Sequence, residues 1–449
     1  MVRLSKLHKL GAHAVVFMLL ILSISGFFLN HKNWDFLYST TFTTVPKSVI
    51  HHDSSLMDGY WIDPLDENHI VAAGKRGVFE STTKGRDFKQ VLAVPCNALK
   101  SYEGILYVAT HAGVYRQESS GEWKLLGLGR EYINAMSVYA NQIFASIDQS
   151  QVVVLDLEGK ELQRIVPVIN SSELEHDITL ARLIRDVHYG RGLFDGIWSL
   201  IINDFATIMV SFLLLSGMVM SLLIYQTRKK IANRGKSIRM ILKIHATSLS
   251  VLAAIPLILI ALSGILLDHS KLFTPFLKLV SISPAYQPPV YHQLSADIWS
   301  VDYDGKIYRI GNRHGIYKSH DLKEWSFENS GFAYKMVRMD DTLYVSGMGA
   351  PNRILDKNGW NKLEHAPHMF KDAFMSNEAI AYLNGHKNTL PSPHFSDATL
   401  YSVLFTLHDG SFFGDWWAYV NDITAITLIF LLISGTILWM RIKRILKVK

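Results

Sequence analysis

Residues 197–267 read IWSLIINDFATIMVSFLLLSGMVMSLLIY (197–225), QTRKKIANRGKSIRMILK (226–243) and IHATSLSVLAAIPLILIALSGILL (244–267). The first and last pieces are long apolar runs. The middle piece carries Arg228, Lys229, Lys230, Arg234, Lys236, Arg239 and Lys243, with no acid among residues 228–243. About 20 apolar residues, rising about 1.5 Å each, cross a bilayer's hydrocarbon core. Two such runs joined by a cation-only turn predict two membrane helices whose linker stays on the cytoplasmic side.

The rest of the chain lies on either side of this hairpin as two similar halves. Four spans are predicted, over about 12–29, 198–225, 248–267 and 423–440. The first could be a cleaved signal peptide. Its length, the lack of an A-x-A-like site and its counterpart later in the chain favour an uncleaved anchor. Segments 1–9, 228–243 and 441–449 together hold fifteen cations and no acid. Both termini are therefore expected in the cytoplasm, and the long segments in the periplasm of a bacterial inner-membrane protein. Outside those three segments, thirty cations face thirty-nine acids. The basic overall charge of +6 thus reflects membrane topology and excludes nucleic-acid binding. With 49% hydrophobic and 19% charged residues, the composition also leans towards membrane lipid as the surroundings.

The expected order is transmembrane helix 1 (1–31), periplasmic β segment 1 (32–187), helix 2 (188–227), a cytoplasmic basic loop (228–243), helix 3 (244–269), periplasmic β segment 2 (270–407), and helix 4 with a basic tail (408–449). The fold class is a membrane protein, α + β, with four transmembrane helices in two parallel repeats. Ser25-Gly26-Phe27-Phe28-Leu29-Asn30-His31 matches Ser263-Gly264-Ile265-Leu266-Leu267-Asp268-His269. Val187-His188-Tyr189-Gly190 matches Leu407-His408-Asp409-Gly410, and Asn203-Asp204 with Ser216-Gly217 matches Asn421-Asp422 with Ser434-Gly435.

The outer segments show short β-rich runs and a repeated phrase: strand, turn, strand, polar turn, strand ending on an aromatic. It is clearest around Gly77-Val78-Phe79, Gly113-Val114-Tyr115 and Gly315-Ile316-Tyr317. Five blades are legible, three before the hairpin and two after, and 368–390 is a candidate sixth. Three blades cannot close a ring, so the two segments are expected to combine into one β-propeller-like part. Two separate β domains are the alternative. Arg76, His111 and His314 occupy the same place in three blades. They form either a mouth for an anionic ligand or ordinary solvated turns.

Histidines gather at the helix ends. His8, His13 and His245 fall at the cytoplasmic ends, and His31, His269, His188 and His408 at the outer ends. Any one of them reads equally as a solvated interfacial residue. As a recurring set they read as paired neutral imidazoles across a bundle, which is what a b-type haem requires. The acids and cysteines that would complete a zinc site are missing nearby. The single Cys96 excludes internal disulfides, c-type haem attachment and an iron–sulfur site made from this chain alone. Ser-Gly recurs in all four helices, either for close helix packing or to let a flat macrocycle lie against backbone. Asp204 and Asp422 read as helix caps, or as partners orienting histidines or relaying protons.

His8-Lys9-Leu10-Gly11, Ser25-Gly26 with Leu29-Asn30-His31, Leu407-His408-Asp409-Gly410-Ser411-Phe412-Phe413-Gly414, and Ser434-Gly435 with Trp439 resemble the PepSY-associated transmembrane-helix family. That family includes inner-membrane ferric-siderophore reductases with two haems. The resemblance implies two b haems, with His8, His188, His245 and His408 as axial ligands to haem iron and His13, His31 and His269 in reserve. It covers the helices and their flanks. The pairing is either His8 with His245 and His188 with His408, or His31 with His188 and His269 with His408.

The functional expectation is a haem-containing oxidoreductase reducing a periplasmic ferric complex such as a ferric siderophore. No G-x-G-x-x-G follows a strand, so the donor is expected to be a quinol or a separate flavoprotein. The rival is a non-enzymatic sensor or assembly factor whose propeller binds a partner while the helices anchor it. Topology has a direct test. A reporter enzyme active only in the periplasm, fused after Lys449, is expected to be silent; activity there overturns the four-helix arrangement.

Overall fold

The longest apolar runs form the longest helices. The structure, a computed structural model, describes residues 2–447 except 195, 232, 294–296, 377–378, 385–389 and 415, with backbone alone at 2 and 442–447. Lys449, the side chains of Lys443, Arg444 and Lys447, and parts of 368–390 lie outside the described residues. The chain forms two units, one from residues 1–32, 179–281 and 403–449, the other from 33–178 and 282–402.

In the first unit, four helices are long and apolar enough to cross a membrane: Arg3–Asn30 within the helix Val2–Asn30, Ile197–Arg228, Ser248–Asp268, and Trp417–Arg441 within Trp417–Lys447. The first helix packs on the second and fourth, and the third packs on the same two, so the four make a bundle. Small and medium side chains fill its centre, among them Val15, Ala206, Val210, Ala253, Ala254 and Leu257. Large ones such as Phe17, Ile208, Leu222, Leu252 and Ile255 face outward. Helices apolar all round are what lipid contact demands. Ser23 Oγ also donates to the Thr207 carbonyl at 2.6 Å, tying the first helix to the second.

Three local features differ from the sequence expectation. The first helix starts at Val2, well before the apolar run. The basic linker is not all turn: Gly235–His245 is a helix of its own. It stops at Ala246, and Thr247 caps the next helix by accepting a hydrogen bond from the Ser250 N–H at 3.2 Å. The outer histidines do not simply precede their spans. His188 closes a short helix, Leu180–His188, and His408 lies near the end of another, Leu400–Asp409.

The second unit is β-rich. Among the described residues it holds five four-stranded antiparallel sheets, each a simple meander, a sixth of two strands, and a short separate pairing of Thr41–Phe42 with Ala398–Thr399. Their first strands are Met57–Ile62, Cys96–Tyr102, Ile133–Tyr139, Ser300–Tyr303, Ala333–Met339 and Asp372–Ser376. The recurring glycine has a steric reason. Gly77 and Gly113 have φ of +114° and +115°, and a Cβ there would lie 2.2 Å from the Leu92 carbonyl oxygen and 2.7 Å from that of Gly127.

Each sheet buries a face against the next. Val71 and Val78 pack on Leu99 and Val108 between the first and second. Tyr107 and Val114 pack with Ile133 and Met136. Phe144 and Val154 pack with Ile310 and Tyr317, joining the sheet before the membrane hairpin to the sheet after it. Ile316 packs with Met336 and Leu343, and Val337 and Tyr344 with Phe370 and Ala373. Phe374 and Leu383 of the sixth sheet pack on Met57, Tyr60 and Phe79 of the first.

The two chain segments therefore share cores at the third–fourth and sixth–first contacts. Cutting them apart exposes fully buried side chains such as Phe144, Ile310 and Tyr317, each worth about 2–3 kcal/mol of burial. Residues 45–180 expressed alone are expected to be poorly folded, whereas 45–180 linked to 285–400 should be soluble and melt cooperatively by circular dichroism. A cooperatively melting 45–180 fragment would show instead that each segment folds by itself.

Candidate functional site

The helix bundle seats four imidazoles in the same way. His408 Nδ1 lies 3.0 Å from Ser25 Oγ, and His188 Nδ1 lies 3.2 Å from Ser263 Oγ. His8 Nδ1 lies 2.7 Å from Ser434 Oγ, and His245 Nδ1 lies 2.8 Å from Ser216 Oγ. Each serine is the one in a Ser-Gly pair. Its hydroxyl donates to a carbonyl one turn back in its own helix: Ile21 (2.7 Å), Leu259 (2.7 Å), Leu431 (3.2 Å) and Phe212 (2.7 Å) respectively. A hydroxyl has one proton, so each serine oxygen then accepts from the imidazole. The Nδ1–H donates, and Nε2 keeps its lone pair.

The glycine of each pair makes room for the ring. A Cβ at Gly26 would lie 3.2 Å from His408 Cε1, and one at Gly264 3.3 Å from His188 Cε1. At Gly435 it would lie 3.4 Å from His8 Cε1, and at Gly217 3.7 Å from His245 Cε1. The pairing of these serines with the imidazoles was not read from the sequence. The Ser-Gly pairs were visible there, but close helix packing explained them as well.

The seats fall into two groups. His188 and His408 face each other with ring centres 6.4 Å apart and planes at 46°. Burial lowers the His188 pKa below its ordinary value, and burial together with the neighbouring His188 brings His408 down to about 4. Both are therefore neutral at physiological pH. His8 and His245 line one pocket walled by apolar residues such as Val16, Leu214, Leu431 and Trp439. Burial also lowers the His245 pKa.

The remaining candidate histidines are placed differently. His31 Nε2 bonds Asp204 Oδ2 at 3.0 Å, and His269 Nε2 bonds Asp422 Oδ2 at 2.6 Å. Both aspartates lie inside their helices rather than at the caps, so the capping reading gives way to a histidine partnership. His13 lines the pocket, with Nδ1 2.6 Å from the Lys9 carbonyl oxygen. Among the described residues, no group of three or more His, Cys, Asp or Glu side chains is arranged to hold a free metal ion.

In the β unit, Arg76, His111 and His314 are not solvated turns. Arg76 pairs with Asp53 at 3.1 Å and Asp397 at 2.9 Å, and its guanidinium lies 3.9 Å from the Phe395 ring centre. His111 Nδ1 lies 2.8 Å from Asp35 Oδ1, and both His111 and His314 are buried.

Solved structures with some likeness to the chain include the computationally designed Ika8 protein (8% identity, 73% of this chain and 68% of that one, TM-score 0.34). BamB from Moraxella catarrhalis (9% identity, 68% and 58%, TM-score 0.31) and YCF48 from Cyanidioschyzon merolae (10%, 76% and 86%, TM-score 0.32) are similar to a comparable degree. Likenesses this loose decide neither fold nor function. No curated protein matches the sequence. The family model of the PepSY-associated TM region, by contrast, matches residues 106–441, from the second β-sheet through the fourth membrane helix, and the chain belongs to that family.

Proposed function

We propose that this protein is a haem-b-bearing reductase of the bacterial inner membrane, passing electrons from a quinol or a separate flavoprotein to a ferric complex such as a ferric siderophore on the outer side. The observation that carries the reading is the fourfold serine–imidazole seat, which leaves Nε2 unprotonated on two groups of paired histidines.

The outer group supplies two neutral imidazoles whose ring centres are 6.4 Å apart, close enough for both to reach one bound group. The inner group supplies two imidazoles to one apolar pocket. His188 with His408, and His8 with His245, would each hold one haem, whose iron when bound supplies one-electron redox chemistry. The protein's part is orientation and exclusion. Each serine fixes tautomer and ring rotation, each glycine admits the ring, and the apolar walls keep water from the ligand nitrogens. The carboxylates of Asp204 and Asp422 engage Nε2 of His31 and His269, so these two histidines are placed outside the ligand set.

The same reading takes the bundle as two parallel repeats, because each seat has a twin: Ser25–His408 with Ser263–His188, and Ser434–His8 with Ser216–His245. It takes the six sheets as one closed propeller, because the shared cores run in cyclic order from the first sheet to the sixth and back.

The visible absorption spectrum of the purified protein tests the reading. A Soret band is expected, and His8→Ala and His245→Ala should each lose about half the haem, since removing one axial imidazole leaves iron half-ligated. Full haem in both variants with loss in His31→Ala would overturn the pairing. No Soret band, or no change in any histidine variant, would overturn the reductase and leave a membrane-anchored binding protein. A milder variant probes the serines. Ser263→Ala should keep the fold but weaken haem retention by about 10–100-fold, the usual cost of losing a ligand's outer partner; unchanged retention would make the serines packing residues only.

A further inference from the structure

The β unit contains a charged cluster far from balance. Asp58 lies on the first strand of the first sheet, at a β-bulge between Met57 and Gly59. Lys75 Nζ is 3.5 Å from Asp58 Oδ2, and Lys371 Nζ is 3.3 Å from Oδ1. Lys100, on the first strand of the second sheet, reaches Asp372 Oδ1 at 3.1 Å. Lys335, on the first strand of the fifth sheet, donates to the Asn97 carbonyl at 3.0 Å. The Asn97 side-chain oxygen accepts from Lys75. Four of the six sheets thus bring four ammonium groups around two carboxylates.

The neighbouring charges do not redress this. Arg309, Arg338 and Lys318 are met by Asp302, Asp304 and Glu328. Arg76 is taken by Asp53 and Asp397. Against burial, which pushes the other way, Lys371, Lys75 and Lys335 hold the Asp58 carboxyl well below its ordinary range. Burial, against the pull of Asp58 and helped by the other three lysines, brings Lys335 down to about 8. Packing like charges together in a poorly solvated place is costly unless something compensates them. The carboxylates are nearly sealed, at 8% and 4% side-chain exposure, while the side chains of Lys75, Lys100 and Lys371 keep 15–17%.

We propose that this cluster is a binding site for a small oxyanion carrying at least two negative charges, of the polycarboxylate or phosphate class, held by Lys75, Lys100, Lys335 and Lys371. The lysines fit this role as flexible point charges that adjust to an anion, and the two aspartates keep them from splaying apart. A chelate of ferric iron with a polycarboxylate has the same outer chemistry. The bare-anion site does not depend on the haem reading, and its test works at any haem content.

The experiment is isothermal titration of the full-length protein in detergent with citrate, inorganic phosphate and ferric citrate, at pH 7 and matched ionic strength. Saturable binding of at least one probe is expected, with affinity reduced by about tenfold in Lys335→Met and in Lys75→Met and unchanged in Lys124→Met, which alters an exposed lysine of the second sheet. The probe that binds identifies the source. A thermal melt serves as a variant-free check, since an anion bound only to the folded state raises the midpoint above that in chloride. No saturable binding of any probe, or equal affinity in Lys335→Met and Lys124→Met, overturns the proposal.

Discussion

A serine hydroxyl that has donated its proton within its own helix can only accept from elsewhere, and four times in this bundle the donor is an imidazole Nδ1–H. That single constraint organises the membrane unit. A helix in lipid must satisfy its polar groups internally, so a serine normally turns its proton back to a carbonyl one turn earlier. Ser25, Ser216 and Ser263 do this at 2.7 Å, and Ser434 at 3.2 Å. The bond that quiets the serine in an apolar setting also makes its oxygen a defined acceptor. Tautomer, ring orientation and the identity of the exposed nitrogen all follow from it.

The bundle's gross form was legible because apolar runs of spanning length admit few alternatives, and the repeated strand–glycine–aromatic phrase reports its own meander. Five sheets stood out on that phrase. The helix Gly235–His245 was hidden by its charge, since a run of Lys and Arg reads as a loop retained in the cytoplasm whether or not it is helical. The short helices ending near His188 and His408 were hidden by brevity, each being nine or ten residues beside a much longer apolar signal. The histidines were visible as a set, but their partners were not. Ser25 and His408 are 383 positions apart, and His8 and Ser434 are 426 apart. Local pattern carries no information about such pairs. A Ser-Gly step in an apolar helix looks the same whether it faces another backbone or an imidazole.

The β unit shows the complementary limit. Arg76 and His111 caught attention by position in the repeat, yet Arg76 is matched by two carboxylates and His111 faces Asp35. Lys75, one residue before Arg76, joins the unbalanced cluster instead. Both residues sit in the two-residue turn between strands Ile70–Gly74 and Gly77–Ser81, yet they meet different partners. One step along a turn therefore separates a structural ion pair from a member of the lysine cluster, and sequence alignment of blades does not resolve that difference.

Two chemistries of histidine coexist in one bundle, and the atom that is bonded tells them apart. Where serine holds Nδ1, the ring presents Nε2 as a neutral lone pair. Where aspartate holds Nε2, as at His31 and His269, the nitrogen that reaches furthest from the backbone is already engaged with a carboxylate. The first arrangement leaves Nε2 open to a partner, and the second does not. Each occurs at corresponding places in both halves of the chain. Duplication of one helix–segment–helix unit would copy both arrangements together, so a pair of facing imidazoles and a pair of carboxylate-bound ones would arise in a single step.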